Sequence, residues 1–360
     1  MTRVHQFVPT LEPGAVGQHI VQIAHVLDEM GIESTTFAEH VRPSMTGHAS
    51  DFRDYGRGVS VKRDDLLLYH VAIGSTVADF VRDQPGRLVL DHHNITPASY
   101  WTGWEPDVVG AAAWARRQFA ELAPRADLGI AHSRYSEREL VDEGCRATSV
   151  LPVMVDLDAL QVEVDEVALD RLHGRSTGAT VWLFVGRLAP NKCQHDVIKA
   201  FWAYRSVYDP SAILRLVGGS SSPRYLEVLR ELVSALLLED AVEITGSVSA
   251  GELAAHYRAA DVFVCLSEHE GFCVPLLEAM HHELPVVAYA ATAVPETLGD
   301  GGLCLPTKSA STVASAVQLM LHDPRRRRQL VDAGTRRMSA FDLATTRTAW
   351  REALAAITSR

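Results

Sequence analysis

The sequence predicts an α/β protein of two domains, each built on a mostly parallel sheet. Strand-like and helix-like segments alternate along the chain, as they do in parallel sheets covered by helices. The alternation stops near residues 150–160 and then starts again. A length of 360 residues also exceeds what one ordinary core needs. These three observations together favour two domains over one.

The first half of the chain begins with a strand at 3–9, followed by a glycine-containing turn at 12–17. An amphipathic helix is predicted over 18–31, because apolar residues recur there at helical spacing and Gly31 can end it. The remaining predicted elements are strands at 65–71, 87–93, 127–133 and 148–153, and a helix at 108–123.

The second half repeats this alternation. Its predicted strands lie at 181–187, 212–219, 241–246, 260–267, 285–290 and 301–306, and its helices at 195–207, 225–238 and 250–260. A last helix is predicted at 345–357. The expected domains are therefore residues 1–155 and 156–342, with 343–360 as a terminal helical segment.

Composition limits the possible partners and compartments. The net charge of −11 and pI near 5.8 argue against a nucleic-acid partner and allow at most peripheral membrane contact. The sequence contains no apolar run long enough to span a membrane and no signal-peptide pattern. The five cysteines are odd in number and lack CxxC spacing, which favours reduced thiols in a cytoplasmic protein. The oligomeric state is left open.

Glu270 and Glu278 are the strongest indication of function. Residues 260–267 are an apolar, β-rich run typical of a buried parallel strand, and residues 268–271 then turn the chain. Pro275 suits the first turn of a helix, where its missing N–H has no partner to lose. We therefore expect Glu270 on a strand-to-helix loop at the carboxyl edge of a sheet, where open α/β sheets bind ligands. Glu278 should lie about one turn inside the helix.

The chemistry around these glutamates indicates a nucleotide sugar. Free N–H groups at the helix N-terminus suit a phosphate, whereas two carboxylates suit sugar hydroxyls. The first-turn residues expected to contact the donor are Gly271, Phe272, Cys273 and Val274. Two glutamates at this spacing also occur as solvated carboxylates on one helix face. The Gly-Phe pair, the proline and the preceding strand make the pattern here more specific.

The segment EGFCVPLLEA resembles the Glu-x7-Glu motif of retaining glycosyltransferases of family four, which have the GT-B fold. The resemblance spans nearly the whole chain and is strongest over 181–306. It implies two Rossmann-like domains with mostly parallel sheets facing across a cleft. It also implies that Glu270 contacts the transferred sugar and Glu278 the ribose of the nucleotide. The helix at 345–357 would cross back to the first domain.

A second motif, VGRLAPNKC, opens the second domain directly after its first strand. It resembles the Gly-Arg-x-x-x-x-Lys signature of the same family, with Gly186, Arg187 and Lys192 at the matching positions. The resemblance implies that the two cations hold the donor diphosphate, whose negative charge grows as the sugar–phosphate bond breaks. An exposed basic turn is the alternative interpretation.

Two further turns of the second domain are expected at the donor. Gly218 lies on a Gly- and Ser-rich turn after a strand, which is weak alone as a phosphate cradle. Ser247 and Val248 match the family's loop that contacts the base through backbone atoms, so the base cannot be identified from sequence. No G-x-G-x-x-G follows either first strand, which argues against a dinucleotide cofactor.

In the first domain, Gly14 and Gly17 are predicted on the first strand-to-helix loop, where the backbone of the family approaches the donor phosphate. A simple tight turn is the alternative. His92 and His93 close a strand, and adjacent strand residues point to opposite faces. The resemblance implies that one of them, best matched by His93, borders the reacting sugar as a catalytic residue.

Aromatic residues follow this pair at once. Tyr100, Trp101 and Trp104 are expected either to bind an acceptor through their ring faces or to be buried core residues. The DxD triplet at 156–158 spells a metal motif of another glycosyltransferase fold, but it lies in the connection between the domains. We therefore expect no metal site and no cofactor besides the nucleotide-sugar substrate.

The sequence thus predicts a metal-independent, retaining glycosyltransferase. It would move a hexose-type sugar from a nucleoside diphosphate to an acceptor hydroxyl on a glycan, glycolipid or small glycoside. One alternative is an epimerase or hydrolase of nucleotide sugars with the same fold. Another is a non-catalytic protein that binds a nucleotide sugar. The base, the sugar, the acceptor and the linkage are not readable from sequence.

Overall fold

The computed structural model describes residues 2–57, 61–157 and 164–359. Contacts between residues divide the chain into two units. Unit 1 extends to Asp156 and resumes at Ala340, and unit 2 comprises Leu157–Ser339. The sequence placed the corresponding divisions after residues 155 and 342.

Unit 1 alternates strands and helices as far as its seventh strand. Its strands are β1 (Val4–Leu11), β2 (Ser34–Val41), β3 (Ser50–Asp51), β4 (Leu66–Val71), β5 (Arg87–His92), β6 (Leu128–Ala131) and β7 (Thr148–Val150). Its helices in this part are α1 (Ala15–Glu29), α2 (Thr76–Arg82), α3 (Pro106–Leu122) and α4 (Arg134–Asp142).

Unit 2 repeats the alternation with shorter strands. Its strands are β8 (Val181–Val185), β9 (Ile213–Val217), β10 (Val242–Gly246), β11 (Val262–Cys265), β12 (Val286–Tyr289) and β13 (Leu303–Leu305). Its helices are α5 (Glu166–Arg175), α6 (Gln194–Val207), α7 (Pro223–Ala235), α8 (Ala250–Arg258), α9 (Val274–His281), α10 (Val294–Leu298), α11 (Ala310–His322) and α12 (Pro324–Met338).

A terminal helix, α13 (Leu343–Thr358), packs against α1 within unit 1. Its Trp350 is fully buried and its indole N–H donates to the carbonyl oxygen of Pro152 at 2.9 Å. Arg347 and Arg351 both pair with Glu29 of α1. Because an apolar face and an ion-pair network both hold it, α13 is an integral part of unit 1.

Both sheets are parallel wherever strands are described, and each has a topological switch point. The strand order is β3-β2-β1-β4-β5-β6-β7 in unit 1 and β10-β9-β8-β11-β12-β13 in unit 2. The chain reverses direction across the sheet between β1 and β4, and between β8 and β11. Crevices outside the carboxyl ends of strands at such points bind ligands in open α/β sheets.

Some elements escaped the sequence analysis. β2 reads STTFAEHV, in which polar residues interrupt the apolar pattern, yet it pairs with β1 along most of its length. Helices α11 and α12 were not predicted, although buried apolar residues recur along α11 at helical spacing. Within the described parts of the chain, none of the helices is both apolar enough and long enough to cross a bilayer.

Candidate active site

The candidate active site in unit 2 begins at the loop between β11 and α9. Cys273 caps α9 in the left-handed region, with φ of 74°, and Pro275 occupies the first turn, as the sequence predicts. Glu270 precedes this cap and is 7% exposed. Its backbone N–H donates to the hydroxyl of Thr292 at 2.9 Å, which fixes the loop against the neighbouring strand end. The loop therefore holds a nearly buried carboxylate beside a helix N-terminus.

Lys192 lies directly against this carboxylate. Its Nζ is 2.6 Å from Glu270 Oε2, and the lysine side chain is 22% exposed. Burial lowers the pKa of Lys192, but the Glu270 carboxylate raises it, and the net pKa lies above its ordinary value. Lys192 is therefore a cation throughout the physiological range.

The two loops that supply this pair are joined through their backbones. Asn191 donates its side-chain amide to the carbonyl oxygen of His269 at 3.1 Å, and the Glu268 N–H donates to the carbonyl oxygen of Asn191 at 2.9 Å. One loop follows β8 and the other follows β11, which are the neighbours at the switch point. Strand order thus brings two motifs 78 residues apart into one site.

Arg187 differs from Lys192 in its surroundings. Its side chain is exposed, and within the described residues it forms no ion pair. Gly186 and Gly218 meet beneath it, since a Cβ on Gly218 would lie 2.1 Å from the Gly186 carbonyl oxygen. Glycine is required there because the loops after β8 and β9 approach each other so closely that a Cβ would not fit between them. The guanidinium is therefore presented to solvent beside these two loops.

The loop predicted to contact the base follows β10, the sheet neighbour of β9. Ser247 is exposed and Val248 is half-buried. A Cβ on Gly219 would lie 2.7 Å from Ser247 Oγ, so this loop adjoins the Gly218 turn. Ser249 then starts α8 with a reciprocal capping box to Glu252.

Glu278 lies on α9 and accepts a hydrogen bond from the hydroxyl of Tyr257 on α8 at 2.6 Å. Burial raises the pKa of Glu278, and the Tyr257 hydrogen bond opposes that rise. Tyr257 is 2% exposed and stacks on the His282 ring at 5.0 Å. The sequence analysis missed Tyr257. Only its position on the helix before β11 indicates from sequence that it could lie near Glu278.

The first-turn residues of α9 are largely enclosed. Phe272 and Val274 are 7% and 9% exposed, and the Phe272 carbonyl oxygen accepts from the Thr297 hydroxyl at 2.5 Å. Cys273 Sγ lies 3.9 Å from Cys265 Sγ, and burial together with Cys265 raises the pKa of Cys273. This thiol is therefore a poor nucleophile. Gly271 is half-buried.

Of the two glycines predicted on the first strand-to-helix loop of unit 1, only one lies there. Gly14 caps α1 with φ of 128°, in the region that favours glycine, and lies on the predicted loop. Gly17 instead lies in the first turn of α1. A Cβ at Gly17 would lie 2.0 Å from the carbonyl oxygen of Glu12, so its absence lets the incoming chain cross the helix. Placing Gly17 on the loop was therefore wrong.

His92 and His93 point to opposite faces of the sheet, as predicted. His92 stacks on Phe119 at 4.5 Å and its Nε2 lies 2.9 Å from Glu139 Oε2. The His93 side chain is 3% exposed and lies among other histidines. Burial lowers the pKa of His93 to about 3 despite nearby Asp91, so its imidazole is neutral.

The aromatic residues predicted at the acceptor divide by exposure. Trp101 is 8% exposed and belongs to the core, whereas Tyr100 and Trp104 retain accessible surface. A short 3-10 turn, Ala98–Tyr100, precedes Trp101. The backbone N–H of Trp104 donates to the carbonyl oxygen of Trp101 at 2.9 Å. Of the DxD triplet, Asp158 lies outside the described residues.

Comparison with known proteins gives a consistent result. Residues 168–337 match the model of the family described as glycosyl transferases group 1. The chain is 29% identical over 381 residues to the D-inositol 3-phosphate glycosyltransferase of Geodermatophilus obscurus, covering 91% of this chain and 81% of that protein. It is 31% identical over 231 residues to the GDP-mannose-dependent alpha-(1-6)-phosphatidylinositol monomannoside mannosyltransferase of Mycolicibacterium smegmatis, covering 61% and 59%.

Solved structures agree on the fold. HepE of Anabaena, crystallised with UDP-glucose, superposes with a TM-score of 0.76 at 18% identity, covering 98% of this chain and 99% of that one. Sucrose-phosphate synthase from Thermosynechococcus elongatus gives a TM-score of 0.76 at 20% identity, covering 99% and 100%. The predicted fold class, two parallel-sheet Rossmann-like domains as in GT-B glycosyltransferases, is confirmed.

Proposed function

We propose that the chain, whose residues 168–337 match the model of the glycosyl transferases of group 1, transfers a hexose-type sugar from a nucleoside diphosphate to an acceptor hydroxyl with retention of configuration. The observation that carries this proposal is the contact of Lys192 Nζ with Glu270 Oε2 at the switch point of unit 2. A cation that can bind the phosphate and a carboxylate that can bind the sugar thus lie side by side. Binding of both groups that flank a sugar–phosphate bond requires such an arrangement.

The roles within unit 2 follow from charge and exposure. Arg187, exposed and unpaired among the described residues, is available to the diphosphate as a planar fork. Lys192 adds a point charge that the buried Glu270 holds in place. Glu270 then accepts a hydrogen bond from the transferred sugar, and Glu278 one from the ribose.

Retention by attack on the same face needs no protein nucleophile. The acceptor hydroxyl forms the new bond to the anomeric carbon as the sugar–phosphate bond breaks. The leaving diphosphate takes the acceptor's proton through its own oxygen. Arg187 and Lys192 stabilise the charge that accumulates there, so we propose that transfer requires no metal at the diphosphate.

Donor and acceptor candidates come from the relatives. HepE is described with UDP-glucose, and the mycobacterial relative uses GDP-mannose. The other relative acts on D-inositol 3-phosphate. We propose a hydroxylated, polyol-like acceptor, with the accessible rings of Tyr100 and Trp104 in unit 1 contacting its apolar faces.

Replacing Trp104 by alanine should raise the acceptor KM about tenfold, because a lost ring contact costs roughly 1.5 kcal/mol. The nucleotide Kd, measured by calorimetry, should not change. Trp202→Ala, at an exposed tryptophan of unit 2, is the matched control. An unchanged acceptor KM with a lower Tm would show that Trp104 is a core residue.

The test of function is a transfer assay in EDTA. UDP-glucose and GDP-mannose are each incubated with the protein, with and without D-inositol 3-phosphate. We expect nucleoside diphosphate to be released only when acceptor is present. The anomeric proton coupling of the product should match that of the donor.

Three outcomes would contradict the proposal. Free sugar without acceptor would indicate a hydrolase, and a changed sugar would indicate an epimerase. Binding of a nucleotide sugar, seen as a raised Tm without turnover, would indicate the non-catalytic alternative. Activity lost in EDTA and restored by Mg²⁺ or Mn²⁺ would overturn the metal-independent chemistry alone.

A further inference from the structure

Five buried side chains converge in unit 1, and we call them the histidine cluster: His19, His70, Asp91, His93 and His132. Each side chain is at most 3% exposed. They come from α1, β4, the end of β5, and the turn after β6. The carboxyl ends of these parallel strands lie at one edge, so residues far apart in sequence meet there.

Hydrogen bonds outside the cluster determine the protonation of His70. The Gln6 side-chain amide donates to the carbonyl oxygen of Ile20 and to the Thr36 hydroxyl, so its Oε1 is an acceptor. That oxygen lies 3.0 Å from His70 Nε2. His70 therefore carries its proton on Nε2, and Nδ1 directs a lone pair into the cluster.

The same reasoning applies to His132 and His93. His132 Nδ1 lies 2.9 Å from the carbonyl oxygen of Leu151, so it must carry the proton. Its Nε2 lies 3.2 Å from both His93 Nδ1 and Asp91 Oδ1. When His132 is neutral, its Nε2 is an acceptor, His93 donates to it through Nδ1, and His93 Nε2 then carries a lone pair.

His19 completes the arrangement from α1. The backbone N–H of Met154 donates to His19 Nδ1 at 3.0 Å, so the proton of His19 is on Nε2. That N–H lies 3.1 Å from Asp91 Oδ2 and donates to it. The other oxygen, Asp91 Oδ1, is buried and lies 3.2 Å from His132 Nε2.

In the state with neutral His132, three lone pairs face one another. His70 Nδ1 is 2.9 Å from Asp91 Oδ2 and 3.0 Å from His93 Nε2, and His93 Nε2 is 3.2 Å from the same oxygen. Acceptors this close repel unless a positive charge lies between them. The centre of this triangle is roughly 1.8 Å from each corner, so an ion slightly out of its plane would reach the usual 2.0–2.2 Å to all three atoms.

We propose that His70 Nδ1, His93 Nε2 and Asp91 Oδ2 bind a divalent first-row transition-metal ion such as zinc. Two imidazoles and a carboxylate are a common ligand set for such ions. Gln6 and His132 then act as the outer hydrogen-bond partners that orient the two ligating rings. The inference depends on unit 1 alone and not on the proposed transfer reaction.

The test is zinc stoichiometry, which does not depend on activity. The whole protein is stripped with dipicolinate, equilibrated with a small excess of Zn²⁺ and desalted, and its zinc is measured by atomic emission. We expect about one zinc per chain and a higher Tm than in the stripped protein. Zinc well below one per chain would overturn the proposal and leave an extra proton as the cluster's positive charge.

Substitutions then locate the ion. His70→Gln and Asp91→Asn should each reduce bound zinc to near zero. His92→Gln is the matched control, because His92 is adjacent in sequence and equally buried but faces the other side of the sheet. Circular dichroism checks that each variant is folded. Full zinc binding in both folded cluster variants would overturn the assignment.

X-ray absorption of the zinc-loaded natural protein provides a test that needs no variant. We expect scattering from two imidazoles and an oxygen. Sulfur at about 2.3 Å would instead place zinc at thiolates. The alternative group is Cys265, Glu270 and Cys273 in unit 2, whose ligand atoms also lie close together. That result would overturn the proposal even if the cluster variants failed to fold.

Discussion

Replacing Arg187 by alanine should lower kcat by roughly 10²–10³-fold, as the loss of one donor to a developing oxyanion does. Its interaction with the diphosphate should strengthen as the sugar–phosphate bond breaks, so the loss falls on the transition state. The side chain is exposed and unpaired among the described residues, so the free energy of unfolding should change by less than about 0.5 kcal/mol. Steady-state kinetics and chemical denaturation measure the two effects separately.

Lys192→Ala should lower kcat by a similar factor, but its effect on stability should differ. The sequence indicates that Lys192 lies on a turn rather than in the core, which predicts little change in stability. In the structure it pairs with Glu270, which is only 7% exposed. Removing the lysine leaves a buried carboxylate without its cation, which should cost about 3 kcal/mol of stability.

A double variant separates these two effects. Lys192→Ala combined with Glu270→Gln removes the buried charge as well as its partner, so much of the stability should return while activity stays low. Lys199→Ala, a more exposed lysine on α6 paired with Asp196, is the control for loss of a lysine in unit 2. A normal kcat in Arg187→Ala and in a folded Lys192 variant would show that this loop is an ordinary basic turn without a role in catalysis.

The contrast between these residues shows how far the sequence could predict the site. Each motif was visible locally, because a buried parallel strand followed by a polar turn has a distinct pattern. The pairing of Lys192 with Glu270 was not visible, since it depends on β8 lying beside β11 in the sheet. Strand order is a property of the whole unit, and a local pattern does not encode it.

The sequence analysis missed other residues for the same reason. His19 and His132 each look like a single histidine near an element end, and only the parallel sheet brings them to Asp91. Gly17 was misplaced because a glycine required by a crossing backbone looks the same as one required by a turn. Local sequence predicted the elements well where apolar residues were continuous, and less well where polar residues interrupt the strand, as in β2.

Glu278→Gln should weaken nucleoside diphosphate binding by about 1.5–3 kcal/mol, which is roughly 10- to 150-fold in Kd. The proposal is that its carboxylate accepts hydrogen bonds from ribose hydroxyls, and an amide accepts them less well. Tyr257→Phe removes only the hydroxyl that holds Glu278 at 2.6 Å, so it should weaken binding by a smaller factor. Titration calorimetry measures both, with Glu231→Gln on the exposed face of α7 as the control.

A nucleotide without ribose hydroxyls tests the contact itself. The natural protein should bind a 2′,3′-dideoxy nucleoside diphosphate more weakly than the ordinary one, and Glu278→Gln should lose most of that difference. Because burial raises the pKa of Glu278 against the opposing Tyr257 hydrogen bond, nucleotide affinity should start to fall on acidification above the usual glutamate range. Protonation removes the acceptor charge, so the glutamine variant should lack that decline. If the variant still discriminates fully between the two nucleotides, Glu278 does not contact the ribose and the raised pKa reflects only its burial.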